Sequence, residues 1–279
     1  MNKQQRHINK AVKKLINKGS RYFKRDKYEK AVGIFTRAVE LNPNNAKAYK
    51  CRADVYFIIE PQKAIQDCTK AIELKPNYIS AYKIRALTNS SLLYNEENTT
   101  ILDYESTISD YTTIFEYNPN YFDAYELRGH IYHETKQYNL AIKDYTKAIA
   151  LKPQKFELYI YRGQDYREIQ DYDNAIKDFN TALEIYDKYY VGINIKYRAY
   201  ISLGETYNLL KDYNKAIEFY TKAIEIPGPT DELIKCYKNR SDLYLQIKET
   251  EKANADLVLM SITKLEKAKK EKNQEVLYF

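Results

Sequence analysis

Two histidines close together are the residues of this sequence most able to do chemistry. His133-Glu134 begins like the HExxH motif, in which two histidines one helical turn apart bind zinc and the glutamate acts as a base. Gln137 stands where the second histidine is required, which excludes that motif. His130 lies one turn before His133, four residues after Glu126, so a two-histidine metal or pH-sensitive site is one interpretation. Histidines that make ordinary hydrogen bonds are the interpretation we favour.

The sequence contains no other catalytic or cofactor-binding motif. It has 7 glycines, and none of them follow the GxGxxG or GxxxxGK[ST] spacing that cradles a phosphate. No serine or cysteine lies in a known motif that would pair it, as a nucleophile, with a catalytic base. Cys51, Cys68 and Cys236 form no CxxC pair and cannot all be joined in disulfides, which is typical of a reducing compartment. We therefore predict a protein that is not an enzyme and needs no cofactor or metal.

Composition and charge are those of a folded protein outside the membrane. Hydrophobic residues make up 44% of the chain and charged residues 30%, which is typical of folded domains. No apolar run approaches the roughly 20 residues that a membrane-spanning helix requires. The polar start, Met1 to Lys10, lacks the apolar segment of a secretion signal. We predict a cytoplasmic location and no membrane partner.

The elements that would position any functional residue are repeated along the chain. Pro43, Pro76, Pro119 and Pro153 close the similar segments AVELNP, AIELKP, IFEYNP and AIALKP, at intervals of 33, 43 and 34 residues. Such a period is typical of repeats made of two antiparallel helices. Each proline ends the second helix, because it has no amide hydrogen and restricts the residue before it.

The repeated segment resembles the tetratricopeptide repeat family, whose unit has aromatic, small and proline residues at fixed positions. The unit Phe122 to Lys155 fills every signature position, with Tyr125, Gly129, Tyr132, Ala141, Tyr145, Ala148 and Pro153. The small and aromatic positions are expected to pack against each other. The resemblance implies an all-α fold, a right-handed α-solenoid of about seven helix-turn-helix units. The array is expected over residues 12–267, with units starting near 12, 46, 79, 122, 156, 197 and 234. A basic lead-in at 1–11 precedes it and a helical extension at 268–279 follows.

Two segments depart from the period. The third unit has about nine extra residues, around 94–102, which we expect to lengthen its inter-helix turn. A tolerated insertion is the favoured interpretation, and a functional loop is the alternative. About seven extra residues, within 187–196, separate the fifth and sixth units. The second unit is one residue short, with Pro61 in its turn.

In this family the first helices line a concave surface, so the resemblance nominates partner-binding residues there. These are Lys13, Asn17, Lys24, Lys47, Lys50, Asp54, Lys83, Glu126, His130, Glu134, Tyr161 and Arg167. The early units supply mainly lysines and the later ones mainly acidic residues. Residues 1–50 hold 14 Lys or Arg against 3 Asp or Glu, an asymmetry that can orient a charged partner. Plain solvation of the helix surface is the competing interpretation.

The resemblance implies a scaffold that binds a peptide or helical segment of a partner protein. Some members of the family hold an acidic chaperone tail with a clamp of Lys, Asn and Arg residues. The first three units have Ile16, Ser20, Cys51, Ser80 and Ile84 at the clamp positions, so we predict no clamp. RNA binding through the basic N-terminal segment is the alternative, less favoured because most tyrosines are assigned to packing. Self-association, through an acidic middle and a basic N-terminal segment, is a further hypothesis.

Overall fold

The computed structural model describes residues 3–93, 101–190 and 196–276, and within these ranges it has fourteen α-helices and no strand. The chain divides into two compact bodies, Met1–Ile131 and Tyr132–Phe279, which we call the N-terminal and C-terminal bodies. The predicted all-α fold of successive helix pairs is confirmed. Residues 94–100 of the predicted insertion and 191–195 of the second irregular segment lie outside the described residues.

The helices follow one another in pairs. The N-terminal body contains α1 (Lys3–Phe23), α2 (Tyr28–Leu41), α3 (Ala46–Ile59), α4 (Pro61–Leu74), α5 (Ile79–Leu93) and α6 (Ile101–Tyr117). Helix α7 (Phe122–Glu134) is divided between the bodies. The C-terminal body contains α8 (Tyr138–Leu151), α9 (Phe156–Glu168), α10 (Tyr172–Tyr189), α11 (Tyr197–Leu209), α12 (Tyr213–Ile224), α13 (Thr230–Gln246) and α14 (Thr250–Val276). Within each body an odd-numbered helix packs on the even-numbered helix that follows it, as α1 does on α2 and α13 on α14.

Some helix ends differ from the sequence-based expectation. Helix α1 begins at Lys3, so residues 3–11 of the predicted lead-in continue the first helix of the array. Helix α13 begins at Thr230, before the predicted unit start near 234, because Pro229 has an extended ψ of 139° and forms its N-cap. Pro61 is the first residue of α4 rather than part of a turn. Proline is well tolerated there, since the first amide of a helix has no partner within it.

The helices of a pair approach closely where a glycine faces an aromatic ring. A Cβ atom built on Gly163 would lie 2.6 Å from Cε1 of Phe179, and one on Gly19 would lie 2.5 Å from Cε1 of Phe35. Both rings are buried. Only glycine permits this approach, so the predicted packing of small against aromatic positions is confirmed for these pairs.

Most turns inside the pairs are closed by a non-glycine residue in the left-handed region. These residues are Asp26 (φ 54°), Lys136 (57°), Gln170 (64°), Lys211 (60°) and Lys248 (64°). After α11, the amide of Asp212 donates to the carbonyl of Tyr207 at 2.9 Å, the six-residue hydrogen bond of a Schellman motif. The left-handed conformation costs a non-glycine residue roughly 1–2 kcal/mol, so these turns carry backbone strain.

A repeated set of side-chain bonds joins the two helices of a pair and connects them to the preceding pair. Arg162 donates from Nε and Nη2 to the two carboxylate oxygens of Asp178 at 2.7 and 2.8 Å, and from Nη1 to Thr146 of the preceding pair at 3.0 Å. The same arrangement joins Arg52 to Asp67 and Thr36, Arg85 to Asp110 and Thr69, and Arg240 to Asp256 and Thr221. We call this set the Arg-Asp-Thr ladder. Because the carboxylates are buried, the bidentate Arg–Asp bonds stabilise the contact between the two helices of a pair. The Arg–Thr hydrogen bond connects that pair to the one before it.

The ladder is interrupted in the sixth pair. There Leu203 and Phe219 occupy the places that Arg162 and Asp178 take in the fifth pair. Leu203 is buried, and the Phe219 ring stacks on Tyr200 and Tyr207 with centroid distances of 6.2 and 5.4 Å. Aromatic and aliphatic packing therefore replaces the ion pair in this pair of helices.

Candidate functional site

The first helices of the fifth, sixth and seventh pairs, α9, α11 and α13, line a groove of about 580 Å³ in the C-terminal body. Residues three and four apart share one face of a helix, so α11 presents Glu205, Asn208 and Leu209 together. Helix α13 presents its own lining residues with the same spacing. The full lining is Arg167, Glu168, Glu205, Asn208, Leu209, Tyr213, Tyr220, Asn239, Asp242, Leu243 and Gln246. A volume of this size is in the range of ligand-binding clefts.

Ion pairs fix the cations beside the groove. Arg167 Nη1 lies 2.5 Å from Glu205 Oε2, and Arg167 Nη2 lies 3.8 Å from Glu168 Oε1. The other oxygen of Glu205 accepts from Lys235 Nζ at 2.7 Å. Burial opposes the charge on Lys235, but the hydrogen bond to Glu205 and the negative charges of Glu205 and Glu232 together outweigh it and raise the pKa of Lys235. Glu205 therefore ties together the three first helices of the groove.

A buried tyrosine forms the back wall. Tyr220 packs over Gly204, whose Cβ, if present, would lie 3.1 Å from the ring. Asn239 Nδ2 donates to the Tyr220 hydroxyl oxygen at 3.1 Å. Burial, and next the negative charge of Glu205, raise the pKa of Tyr220, so the phenol stays protonated at neutral pH. The wall is therefore buried and uncharged.

The remaining polar side chains of the groove face solvent. Glu168 is 42% exposed, and its contact with Arg167, at 3.8 Å, is longer than a hydrogen bond. Asp242, Asn208 and Gln246 are exposed as well. The groove thus presents carboxylates, which can accept hydrogen bonds from a cation. It also presents amides, which can both donate to and accept from a peptide backbone.

The predicted histidine cluster has a different arrangement from a metal site. His133 Nδ1 lies 2.6 Å from Oδ1 of Asp165, which is fully buried, while Oδ2 of Asp165 has no hydrogen-bond partner among the described residues. The hydrogen bond with Asp165 raises the pKa of His133 against the effect of burial, and burial raises the pKa of Asp165. His130 is half-buried in the N-terminal body. In the part of the chain that is described, no three His, Cys, Asp or Glu residues are grouped as metal ligands.

The predicted basic surface lies in the N-terminal body. Lys50 forms an ion pair of 2.8 Å with Asp54 on the same helix. The ammonium of Lys83 lies 4.6 Å from the centre of the Tyr121 ring, a cation–π contact. Lys13, Asn17, Lys24 and Lys47 are exposed, and Glu126 is half-buried. Several predicted cations therefore already have partners within the protein.

The C-terminal body contains the other predicted residues. Glu134 is exposed, and Tyr161 stacks on Tyr145 at 5.8 Å with the Arg198 guanidinium 5.4 Å from its ring centre. Arg167 is the predicted residue that lines the groove.

Most groove residues were missed by the sequence-based prediction. Glu205, Asn208 and Asp242 lie on the sixth and seventh units, at repeat positions equivalent to those chosen in the earlier units. The candidate residues were taken only from the first five units. The same repeat frame, continued to the end of the chain, would have nominated them.

Comparison with known proteins supports the repeat assignment. Models of tetratricopeptide repeats match residues 19–57, 122–155 and 155–227. A search of curated protein sequences gives no significant match. No helix among the described residues has the length and apolar character needed to cross a bilayer.

Several solved structures share the fold. A tetratricopeptide repeat protein from Parabacteroides merdae is 19% identical with a TM-score of 0.61, over 91% of this chain and 93% of that one. The MamA protein is 23% identical with a TM-score of 0.59, over 66% and 98%. YrrB, described as having an unusual peptide-binding site, is 21% identical with a TM-score of 0.56, over 68% and 91%. Likeness at these identities shows a common architecture.

Proposed function

The chain belongs to the tetratricopeptide repeat family, and from this premise we propose that it is a non-catalytic scaffold for a partner protein. The groove of α9, α11 and α13 holds an extended segment of that partner. The observation that carries this proposal is a preformed cleft of about 580 Å³ in which Arg167, Glu205 and the neighbouring Lys235 form ion pairs that join all three helices. A preformed site loses little conformational freedom on binding.

The lining suits a peptide better than a reacting substrate. Amide side chains such as Asn208 and Gln246 can pair with the backbone of an extended chain, while Leu209 and Leu243 offer apolar contact. Peptide binding is also what YrrB, a protein of similar fold, is described as doing. The exposed residues Lys13, Asn17, Lys24 and Lys47, in the N-terminal body, are proposed as a second contact surface rather than as a carboxylate clamp.

Site-specific crosslinking tests this proposal. A photoreactive amino acid replaces Asn208 in the groove or, in a matched control, Glu184 on the exposed surface of α10. We expect irradiation in native lysate to join a defined partner segment to the Asn208 position and not to the Glu184 position. Equal crosslinking at both positions, or none at Asn208, would contradict a groove-binding scaffold.

Nucleic-acid binding is a second candidate, favoured by one feature of α1. This helix carries seven basic and no acidic residues, and all of the basic side chains are exposed: Lys3, Arg6, Lys10, Lys13, Lys14, Lys18 and Arg21. The neighbouring tyrosines Tyr22, Tyr28 and Tyr49 pack on the core and do not form a stacking platform. Labelled RNA titrated at two salt concentrations decides the question, because phosphate contacts require a steep loss of affinity with salt.

We also propose that the protein works in a reducing compartment such as the cytoplasm. Cys51, Cys68 and Cys236 are free thiols. Burial raises the pKa of Cys68 and of Cys236 to about 12, so both are unreactive packing residues.

A further inference from the structure

The charge of the groove selects the chemistry of its occupant, provided that the groove holds a peptide as proposed above. We propose that the groove binds a segment that places a lysine or arginine side chain against the carboxylates of Glu168 and Asp242. The partner is therefore a protein with an extended, basic segment.

The guanidinium in the groove lining is already paired with a carboxylate. Arg167 is only 14% exposed, and Glu205 holds it at 2.5 Å. Lys235 occupies the second oxygen of Glu205 at 2.7 Å. An acidic ligand that took Arg167 from Glu205 would leave a partly buried carboxylate without that partner. Lys235 is half exposed and is not part of the groove lining.

The remaining charge in the groove is negative. Its lining contains three carboxylates and one guanidinium, and Glu205 uses both oxygens within the protein. Glu168, at 42% exposure, and the exposed Asp242 remain accessible to a ligand. A ligand ammonium or guanidinium would form charge-assisted bonds with them, whereas a ligand carboxylate would be repelled.

The apolar part of the groove fits the rest of a long basic side chain. Lysine and arginine bury their methylene stems on apolar surface while the charged end stays at polar groups. Leu209 and Leu243 line the same groove as the two carboxylates. A free inorganic cation would gain nothing from these leucines, so the combination favours a peptide side chain.

A random-peptide display selection on the full-length chain tests the inference. The unmodified protein is compared with Asn208→Trp, which fills the groove, and with the double variant Glu168→Gln/Asp242→Asn. The control is Glu184→Gln, which removes a carboxylate from the exposed surface of α10. Circular dichroism and thermal unfolding verify that every variant is folded. We expect the unmodified protein and Glu184→Gln to select peptides rich in Lys or Arg, and the double variant to lose that enrichment. Replacing the selected lysine of the peptide by glutamine should weaken binding about tenfold.

The outcomes separate this inference from the proposed function. If no selected peptide loses binding in Asn208→Trp, the groove does not hold peptides and the proposed function fails. If peptides depend on the groove but carry no excess of Lys or Arg, the scaffold stands and the inference is overturned. Enrichment that persists in the double variant also overturns it, because the cation would then be bound elsewhere. Enrichment of Asp or Glu in the selected peptides would also overturn the inference, because the groove would then bind an acidic segment.

Discussion

Replacement of Gly163 by alanine should destabilise the protein, although alanine is the better helix former. The added Cβ would lie 2.6 Å from Cε1, 3.0 Å from Cδ1 and 3.1 Å from Cζ of Phe179. Phe179 is fully buried in a cluster with Ile160 and Leu203, so its ring has no free space to enter. Overpacking of this kind costs about 1–3 kcal/mol, while alanine gains about 1 kcal/mol in helix propensity. We expect a net loss of up to about 2 kcal/mol.

Gly33 provides a matched control, at which alanine should have the opposite effect on stability. It lies inside α2, is exposed, and a Cβ built on it would meet no atom within 4 Å. Gly33→Ala should therefore stabilise by about 0.5–1 kcal/mol. Urea unfolding followed by circular dichroism measures both variants. Hydrogen exchange assigns each change to its own helix pair, since repeat arrays open locally.

A second substitution shows whether the steric reasoning is right. Phe179→Leu removes the ring atoms that the new Cβ would meet, so Gly163→Ala should cost much less in that background. The reasoning would be refuted if Gly163→Ala stabilised the protein as Gly33→Ala is expected to do. It would also be refuted if the loss of stability from Gly163→Ala were the same in the Phe179→Leu background.

Three further predictions concern strain, ion pairs and pH. Lys211→Gly should raise the unfolding free energy by about 0.5–1 kcal/mol by relieving the left-handed strain (φ 60°), and a lower melting temperature would contradict this. Arg162→Met should cost about 3 kcal/mol because it leaves the buried Asp178 carboxylate unpaired; Arg162→Met/Asp178→Leu should recover much of this loss in urea unfolding. The raised pKa values of His133 and Asp165 mean that the native state binds more protons. Stability should therefore fall as pH rises above 6.5 through the folded-state pKa of His133, and a pH series on His133→Gln should lack that part of the slope.

The helix pairs were predictable because their determinants recur at fixed spacing. Gly163 and Phe179 belong to a pattern that repeats along the chain, and proline marks the end of several pairs. The turns were harder to predict, because lysine at Lys136 or Lys211 gives no sign of a left-handed conformation that glycine would have signalled. The repeated Arg and Asp residues of the ladder are also visible in the sequence, but charged residues at a fixed spacing do not by themselves show that their side chains pair.

The candidate site was less predictable than the fold. A repeat frame places a side chain on the first helix, as it did for Arg167, but it does not determine what that side chain binds. Arg167 pairs with Glu205, which is 38 residues away, and Lys50 pairs with its neighbour Asp54. Such pairing depends on side-chain rotamers and on the distance between adjacent helices. Which charged side chains of a groove remain available to a ligand thus depends on the structure, whereas the total charge can be counted from the sequence.

The interruption of the ladder has a consequence for the lifetime of the protein. In the sixth pair Leu203 and Phe219 leave α11 and α12 without the ladder's ion pair. A polar bond from α9 to α11 is made by Arg167 and Glu205, two residues of the groove itself. An occupant of the groove binds the packed arrangement of α9, α11 and α13, and by mass action it stabilises that arrangement over the locally opened form. The last two helix pairs should accordingly resist proteases when a partner is bound and become the first site of cleavage once it has left.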